Sequence, residues 1–244
     1  GGGIGEELAK LSTTWVGTMD HFKGMKSPPQ LPLPIDKVVW AGQAVVAVVA
    51  DTRALAEDAA ELVSIEFDEL PAVVDIDAAR DPDAPVISPE LGSNLCFQGK
   101  LDTGGVDDVF AGAAHVVEEE FLFGRHTAVT MEPRAIIADY DASEPKLTVH
   151  HATQTPYQFQ DIYSRHYGIP EACVRVIAPD IGGSFGMKLH IYCDEMATVV
   201  ASMLLGRPVK FCADRLESFV SDAQARDHRL KCRIALKKTG EILA

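Results

Sequence analysis

Two segments of this chain carry groups that could bind a ligand, and both stand where predicted regular elements stop. The first is Gln154, whose amide can donate and accept hydrogen bonds, directly after the run Lys146–Ala152. The second is the string GGSFG at residues 182–186, shortly after the β-branched run Val174–Ala178. Glycines allow a backbone to approach a ligand closely. Because α/β proteins place ligands at strand ends, both segments are candidate contacts.

A helix and several strands position these segments. Thr155 and Gln158 match a capping box, and Pro156 suits the first helical position, so a helix should start directly after Gln154. Gly168 can adopt the left-handed conformation that ends this helix. The remaining pattern predicts a helical piece over Val106–Ala114, a helix entered from Met187 onward and clearest over Cys193–Leu205, and the strands His115–Phe123, Lys146–Ala152, Val174–Ala178, Val209–Ala213 and Leu230–Leu236.

An upstream unit without obvious chemical groups precedes these elements. Val38–Ala50 contains a dense Val/Ala run that predicts a buried strand. Asp51 or Thr52 can cap the helix that follows, and the alternation in Ser64–Asp68 predicts a half-buried strand. The acidic residues of this unit are interpreted as a solvated face. The stretch Ala79–Thr103 is rich in proline, glycine and aspartate and predicts a connecting loop.

The glycine string admits other interpretations. It fits a tight turn without a ligand, and it lacks the G-K-[ST] ending of a phosphate loop and the order of a dinucleotide fingerprint. It also satisfies G-x-S-x-G, which makes Ser184 a candidate nucleophile and a serine hydrolase the rival hypothesis. Two facts argue against the hydrolase. Pro179 and Asp180 separate the strand from the turn, whereas the nucleophile of a hydrolase stands at the tip of its strand. Downstream of Ser184, His228 is the one remaining candidate for the catalytic base.

Composition excludes several classes of protein. The chain has 36 acidic and 22 basic residues, and its formal net charge of −14 argues against nucleic-acid binding. No apolar stretch approaches the length of about 18 residues that predicts a membrane span. The scattered cysteines offer no C-x-x-C pair, so neither a zinc nor an iron–sulfur site is predicted, and they are interpreted as reduced, mostly buried thiols of a cytoplasmic protein. They are Cys96, Cys173, Cys193, Cys212 and Cys232.

The histidines do not form a convincing metal site. His150 and His151 are neighbours on a predicted strand, so their side chains should point to opposite faces. His190, Cys193 and Asp194 are close in sequence, but no second ligand pair supports a metal there. We therefore predict no metal held directly by side chains of this chain.

Several strings, taken together and in order, resemble the molybdopterin-binding subunit of the molybdenum hydroxylases, the family of xanthine dehydrogenase, aldehyde oxidase and carbon monoxide dehydrogenase. The resemblance extends from about Lys37 to the last residue. The strings are MEPR (131–134), ADYD (138–141), ATQTP (152–156), YGIPEACVRVIAPDIGGSFGMK (167–188), GRPVKF (206–211) and DRLESF (214–219), and Val38–Asp75 is similar to the small domain that precedes them in that family.

The resemblance implies an α+β fold, in which a small α/β hammerhead-type domain is followed by the first part of a mixed α/β molybdopterin-binding domain. It implies that residues 1–80 are the C-terminal part of the hammerhead-type domain, 81–105 a linker, and 106–244 the N-terminal part of the molybdopterin-binding domain. The chain should then be a fragment of a larger subunit, truncated at both ends and inactive when isolated.

Site residues follow from the same resemblance. Gln154 corresponds to the glutamine whose amide N–H donates to a molybdenum ligand, and Gly182, Gly183, Phe185 and Gly186 correspond to the backbone loop near the metal and the pterin. Phe185 could instead be a core anchor, and Gln154 an ordinary polar residue before a helix.

Other positions are not assigned to cofactor contacts, and no catalytic residue can be named, because the general-base glutamate of the family lies beyond residue 244. Glu132 and Arg134 are interpreted as a structural ion pair or a contact far from the cofactor. The resemblance implies that Leu189 is a substrate residue, since purine-oxidising members of the family have a glutamate at that position. Ser184 has no role in this reading.

The implied function is oxidation of an aldehyde or N-heteroaromatic carbon by a molybdenum–molybdopterin enzyme, with oxygen derived from water. The resemblance implies a molybdopterin in cytosine dinucleotide form. It also implies [2Fe–2S] centres and FAD on partner subunits or other segments, through which electrons leave. The hypotheses from other classes are the serine hydrolase using Ser184 and a non-catalytic interaction fragment. Partners would be a small-molecule substrate, the iron–sulfur and flavin subunits and the rest of the molybdopterin subunit.

Overall fold

The helices and strands are taken from a computed structural model that describes residues 24–28 and 30–244. Short 3₁₀ turns occur at Ala78–Arg80, Pro89–Leu91 and Glu171–Cys173. The α-helices and strands in the described residues are α1 (Arg53–Ala60), α2 (Val106–Gly112), β1 (His115–Phe123), β2 (Ala135–Asp141), β3 (Lys146–His151), α3 (Pro156–Tyr167), β4 (Val174–Ile177), α4 (Cys193–Leu205), β5 (Val209–Cys212), α5 (Arg215–Ser221) and β6 (His228–Leu236).

A four-stranded sheet with the order β4-β3-β2-β5 determines where the candidate site residues meet. Strand β2 runs antiparallel to both β3 and β5, whereas β4 runs parallel to β3 and is connected to it through α3. Strands β3, β4 and β5 therefore end at one edge of the sheet, and β2 begins there. The segments after β3 and β4 and the segment before β2 consequently share this edge.

Helices α3 and α4 pack against the sheet and form the main hydrophobic core with it. The helical residues Phe159, Ile162 and Val199 pack in one buried cluster with the strand residues Ile136 and Leu147, and each is at most 1% exposed. Burial of each such side chain stabilises the fold by about 1.5–3 kcal/mol. The core thus holds in place the sheet edge at which the candidate segments meet.

Strands β1 and β6 form a separate antiparallel ribbon, with His115 opposite Leu236 and Phe123 opposite His228. Every residue of β1 is exposed. Among the described residues, none of the helices has the length and hydropathy needed to cross a bilayer.

Most element predictions in the second half of the chain are confirmed. The bounds of β1 and α4 match the predicted ranges, and β3, β4 and β5 each end one residue before the predicted end. Gly168 closes α3 with φ 66° and Gly206 closes α4 with φ 60°, both in the left-handed region. The entry into α4 at Met187 is wrong, because turns and extended backbone precede the helix as far as Tyr192.

The capping box predicted at Thr155 is also wrong. Thr155 does occupy the N-cap position, but its ψ of 61° is far from the extended values of the working caps, 156° at Thr52 and 173° at Asp214. The Thr155 hydroxyl therefore makes no bond to the helix, and it is buried without a partner in the described part of the chain. A capping box forms instead at Asp214 and Glu217.

The upstream unit keeps its helix but not the predicted strands. Thr52 caps α1 by accepting a hydrogen bond from the N–H of Leu55. Neither Val38–Ala50, which contains a turn at residues 41–42, nor Ser64–Asp68 forms a strand, and within residues 24–28 and 30–244 neither pairs with another strand. Val46 and Phe67 remain 45% and 63% exposed, because no strand among the described residues pairs with either run.

The cysteine prediction is correct for the redox state and wrong for burial. The cysteines are free thiols, as expected for reduced side chains. None is fully buried: Cys96 and Cys232 are exposed, and the other three, which lie at the ends of helices or strands, are partly exposed.

A buried arginine ties the start of β2 to two helices. The Arg134 side chain is 0% exposed, and its guanidinium binds Asp194 with two hydrogen bonds, of 2.6 and 2.7 Å. Its Nε donates to Asp222 at 2.6 Å, Glu195 lies at 3.3 Å, and the ring centroid of Tyr192 is 3.8 Å from Cζ. Asp194 and Glu195 are in the first turn of α4, and Asp222 directly follows α5. Arg134 therefore pairs with these carboxylates and not with Glu132, which corrects the prediction of an ion pair between the two.

We expect Arg134→Met to lower the free energy of unfolding by about 3–5 kcal/mol, because it leaves buried carboxylates without their cation. Urea unfolding followed by circular dichroism measures this change. The matched control is Arg165→Met, which removes an exposed ion pair with Asp161 on α3 and should change the free energy by less than about 1 kcal/mol. Equal effects of the two substitutions would contradict the structural role of Arg134.

Candidate cofactor site

Gln154 lies just beyond the end of β3, where one hydrogen bond from Gln154 and one from Thr153 join this segment to Lys188, after the glycine string. Its backbone N–H donates to the carbonyl oxygen of Lys188 at 3.3 Å. The hydroxyl of the preceding Thr153 donates to the same oxygen at 2.7 Å. The structure thus brings together the two segments that the sequence singled out, as expected from the parallel course of β3 and β4.

The amide of Gln154 has one orientation in this environment. Its Oε1 accepts hydrogen bonds from the backbone N–H of Gly186, at 3.1 Å, and from the hydroxyl of Ser184. A backbone N–H can only donate, so the oxygen and not the nitrogen of the amide must face the loop. In the described residues Nε2 has no hydrogen-bond partner, and the side chain is exposed. Its two N–H groups are therefore available to a ligand.

The glycine string is shaped partly by a close approach to Glu132. A Cβ added at Gly182 would lie 2.4 Å from the Cβ of Glu132, so a larger residue cannot occupy this position without displacing the backbone. The N–H of Gly182 donates to Glu132 Oε2 at 2.9 Å, and its carbonyl accepts from the N–H of Glu132 at 3.2 Å. Gly182 is thus required by packing within the chain itself.

Phe185 is not a core anchor. Its side chain is 82% exposed and its φ is 52°, in the left-handed region that aromatic residues rarely adopt. Gly186 follows with φ 85° and has open space where a Cβ would stand. The tip of the loop therefore presents an aromatic ring and bare backbone to its surroundings, which rules out the core interpretation of Phe185.

A buried lysine holds the loop from the other side. Lys188 is 2% exposed, and its Nζ lies 2.6 Å from Glu132 Oε2, the oxygen that also accepts from Gly182. Burial alone would raise the pKa of the Glu132 carboxyl, but the hydrogen bonds and the charge of Lys188 hold it below the usual value. Glu132 is therefore an ionised clamp between the start of β2 and both ends of the glycine string.

Behind this edge lies a buried polar cluster that the sequence did not indicate. His151 is buried and His150 exposed, which confirms that they point to opposite faces. His151 Nε2 lies 3.0 Å from Glu195 Oε2, and Nδ1 lies 3.2 Å from the hydroxyl of Tyr163. Burial would raise the pKa of Glu195, but His151 and Arg134 together lower it. The cluster connects β3 to the Arg134 network.

Nothing in the described geometry favours the serine hydrolase. Ser184 Oγ donates to Gln154 and accepts from the backbone N–H of Lys188 at 3.1 Å. No histidine among the described residues makes a hydrogen bond to it, so the base that a nucleophile needs is missing there. In the same residues, no group of three His, Cys, Asp or Glu side chains could hold a metal ion.

The donors and acceptors at this edge fit a polar cofactor. The amide N–H groups of Gln154 are exposed and have no partner in the described part of the chain. Beside them are the open backbone at Gly186 and the half-buried Leu189, next to the Lys188 carbonyl that binds Gln154. Hydrogen-bonding groups of a bound molecule would satisfy the free donors. The arrangement is suited to a ligand rich in oxygen and nitrogen acceptors.

Sequence reasoning missed three contributors to this site, namely Glu132 as a clamp, Lys188 and Ser184. Glu132 and Lys188 are 56 positions apart, and Ser184 and Gln154 are 30 apart. No periodicity connects such positions. The available signal was the presence of Glu132 and Lys188 within two of the strings that carry the family resemblance.

We expect the pH dependence of stability to report the Glu132 clamp. Because its pKa is lowered in the folded state, the stabilisation is complete above the usual glutamate value of 4.5 and is lost as the pH falls through the lower folded value. The difference in unfolding free energy between the chain and Glu132→Gln should therefore be largest near neutral pH and shrink below 4.5. Urea unfolding over this pH range measures it.

Glu66→Gln is the matched control, since Glu66 is exposed and has no ion pair among the described residues. Its effect should stay close to zero at every pH. A Glu132→Gln difference that does not change between neutral and acidic pH would contradict the clamp.

Comparison with known proteins agrees with this geometry. Residues 87–244 match the family model described as "Molybdopterin cofactor-binding domain". Residues 8–71 match "Aldehyde oxidase and xanthine dehydrogenase, a/b hammerhead domain". The predicted order, a hammerhead-type domain followed by a molybdopterin-binding domain, is thereby confirmed.

Individual relatives of this chain are also large subunits of such oxidoreductases. The chain is 34% identical to the carbon monoxide dehydrogenase large chain of Hydrogenophaga pseudoflava, over 98% of this chain and 30% of that protein. It is 36% identical to the nicotine 6-hydroxylase large subunit of Paenarthrobacter nicotinovorans, over 85% of this chain and 25% of that protein. The chain thus spans less than a third of the length of these relatives.

Solved structures extend the likeness to the fold. Quinoline 2-oxidoreductase from Pseudomonas putida 86 superposes with a TM-score of 0.89 at 34% identity, covering 98% of this chain and 30% of that one. Because the cofactor-binding domain matches more than half of the residues, the chain belongs to the molybdenum hydroxylases, the oxidoreductase family of xanthine dehydrogenase, aldehyde oxidase and carbon monoxide dehydrogenase.

Proposed function

We propose that this chain forms one wall of the molybdopterin site of a molybdenum-dependent hydroxylase or dehydrogenase. The proposed enzyme oxidises an aldehyde or N-heteroaromatic carbon with oxygen derived from water. The observation that carries the proposal is the Gln154 amide, whose oxygen is bound by the loop and whose N–H groups are free. Names of relatives support the heteroaromatic class, since they include a nicotine hydroxylase and a quinoline oxidoreductase.

In this proposal each residue has a physical task. Gln154 donates a hydrogen bond to a ligand of the metal, which orients and tunes that ligand. Gly182, Gly183 and Gly186 provide the close-fitting backbone, and Phe185 covers the cofactor with its exposed ring. When bound, a molybdenum–molybdopterin group supplies the two-electron oxidation. Glu132 and Lys188 keep the loop in place and do not contact the reacting atoms.

The wider assembly is part of the same proposal. We place residues 1–80 in the hammerhead-type domain, 81–105 in a linker and 106–244 in the cofactor-binding domain. The pterin is in the cytosine dinucleotide form, and electrons leave through [2Fe–2S] centres and FAD on partner subunits or other segments. Relatives described as a "large chain" and a "large subunit" support such an assembly. Free cysteines are consistent with a cytoplasmic location.

The test of the proposed function is Gln154→Ala in the complete enzyme that contains this chain. We expect turnover to fall by roughly tenfold or more, the scale of losses at residues that orient metal ligands. Stability should change little, because Gln154 is exposed and stands outside regular elements. Steady-state kinetics, molybdenum analysis and thermal unfolding measure the three quantities.

Gln224→Ala is the matched control. Gln224 is an exposed glutamine that follows α5, and its side chain donates to the backbone carbonyl of Phe219. Its loss should leave turnover within about twofold of the unaltered enzyme. Unchanged turnover in Gln154→Ala at full molybdenum content would remove Gln154 from the site.

The substrate class depends on Leu189. A leucine can neither donate nor accept a hydrogen bond, so a purine next to it would leave ring nitrogens or carbonyls unpaired, at a cost of about 1–3 kcal/mol each. Leu189 is half-buried and follows Lys188, whose carbonyl oxygen binds Gln154. We therefore propose that the site prefers a less polar aldehyde or heteroaromatic compound over xanthine.

We expect kcat/KM for xanthine and hypoxanthine to be lower than for an aromatic aldehyde or an N-heterocycle by at least about fivefold, the smallest effect expected from one unpaired polar group. Steady-state kinetics of the complete enzyme provide the comparison. Leu189→Glu should reduce the difference in kcat/KM between the purines and the less polar substrates, because the carboxylate gives the purine a hydrogen-bond partner. A higher specificity constant for xanthine in the unaltered enzyme would refute the assignment.

A further inference from the structure

Ser184 belongs to a short relay of hydrogen bonds that ends on Gln154. The backbone N–H of Lys188 donates to Ser184 Oγ at 3.1 Å, and the Ser184 hydroxyl donates to Gln154 Oε1. We infer that Ser184 is a positioning residue, which fixes the orientation of the Gln154 amide so that its N–H groups face the ligand. The inference rests on the proposed function and extends it to a residue for which the sequence indicated no role in a molybdopterin site.

The direction of the relay follows from what each group can do. The Lys188 N–H can only donate, so it occupies a lone pair of the Ser184 oxygen and leaves the hydroxyl proton for another acceptor. The side-chain oxygen of Gln154, Oε1, is that acceptor, and it also accepts a hydrogen bond from the backbone N–H of Gly186 at 3.1 Å. Two donors point at this one position, so the amide is held with its oxygen, and not its nitrogen, facing the loop.

Without this distinction the amide is nearly symmetric in shape. The terminal torsion of a glutamine side chain is broad and roughly two-fold, so the oxygen and nitrogen can exchange places at little steric cost. A rotated amide would present an acceptor where the proposed metal ligand requires a donor. Loss of one of the two donors should therefore reduce the fraction of molecules that have the productive orientation.

The rest of the loop holds the serine itself in place. The Met187 N–H donates to the Ser184 carbonyl at 2.9 Å and closes a turn. Lys188 is fixed through its side chain by Glu132 and through its own carbonyl by Thr153 and Gln154. The hydroxyl thus reaches Gln154 from a loop that is anchored at several points.

The experiment is a double-mutant cycle in the complete enzyme, with Ser184→Ala, Gln154→Ala and the combination of both. We expect Ser184→Ala to lower kcat by about tenfold with little change in KM, as is usual for the loss of a group that orients another. Molybdenum content and melting temperature should stay at the level of the unaltered enzyme. In the Gln154→Ala background the same substitution should have almost no effect, because no amide remains to be oriented.

Two further measurements separate positioning from a general structural role. Ser184→Thr keeps the hydroxyl and should recover most of kcat. The electron paramagnetic resonance spectrum of the reduced enzyme's molybdenum should change in Ser184→Ala and return towards the original in Ser184→Thr, since it reports hydrogen bonding to the metal's ligands.

The outcomes distinguish this inference from the proposed function. If Gln154→Ala reduces turnover and Ser184→Ala does not, the inference fails and the proposed function stands. The inference also fails if Ser184→Ala reduces kcat equally with and without Gln154, or if a metal-replete Ser184→Thr behaves like Ser184→Ala. If neither Gln154→Ala nor Ser184→Ala affects turnover, the proposed role of Gln154 fails as well.

Discussion

The buried guanidinium of Arg134 is the interaction on which the candidate site depends, because it sets the relative positions of three chain segments. It directly precedes β2, and its carboxylate partners stand at the start of α4 and just after α5. Burial would lower the pKa of Arg134, but these carboxylates raise it above its ordinary value, so the cation is retained. One cation facing Asp194, Glu195 and Asp222 leaves excess negative charge. At Asp222, burial raises the pKa of the carboxyl despite the attraction of Arg134.

Two residues before this arginine, Glu132 connects the scaffold to the loop. Since Arg134 fixes the start of β2, the carboxylate of Glu132 is held where it meets Gly182 and Lys188. The loop therefore has little packing of its own and is shaped by polar contacts with a rigid neighbour. This explains why the tip can expose Phe185 with a positive φ without an internal hydrophobic anchor.

Elements whose signals are local could be predicted from the sequence, and long-range contacts could not. Gly168 and Gly206 mark helix ends through their own backbone preferences, and the capping role of Thr52 needs only the next helical turn. The capping box at Thr155 failed because its ψ of 61° is not the extended value that a capping residue needs, and a residue pattern does not report this angle. The runs Val38–Ala50 and Ser64–Asp68 have the composition of strands, but pairing requires a partner that the described residues do not offer.

At the site, the family resemblance pointed to Gln154 and the glycines, whereas the contacts of Ser184, Glu132 and Lys188 required three-dimensional coordinates.

The common direction of β3, β4 and β5 has a consequence for how such a site can change. All three strands end at the same edge of the sheet, so the segments that follow them converge there. The side chains of the strands themselves remain in the core. Substitutions in these short segments can alter the shape and polarity of the wall without disturbing the packing of α3 and α4. A family built on this edge can acquire new substrates by altering loops, and the hydrophobic core is not required to change with them.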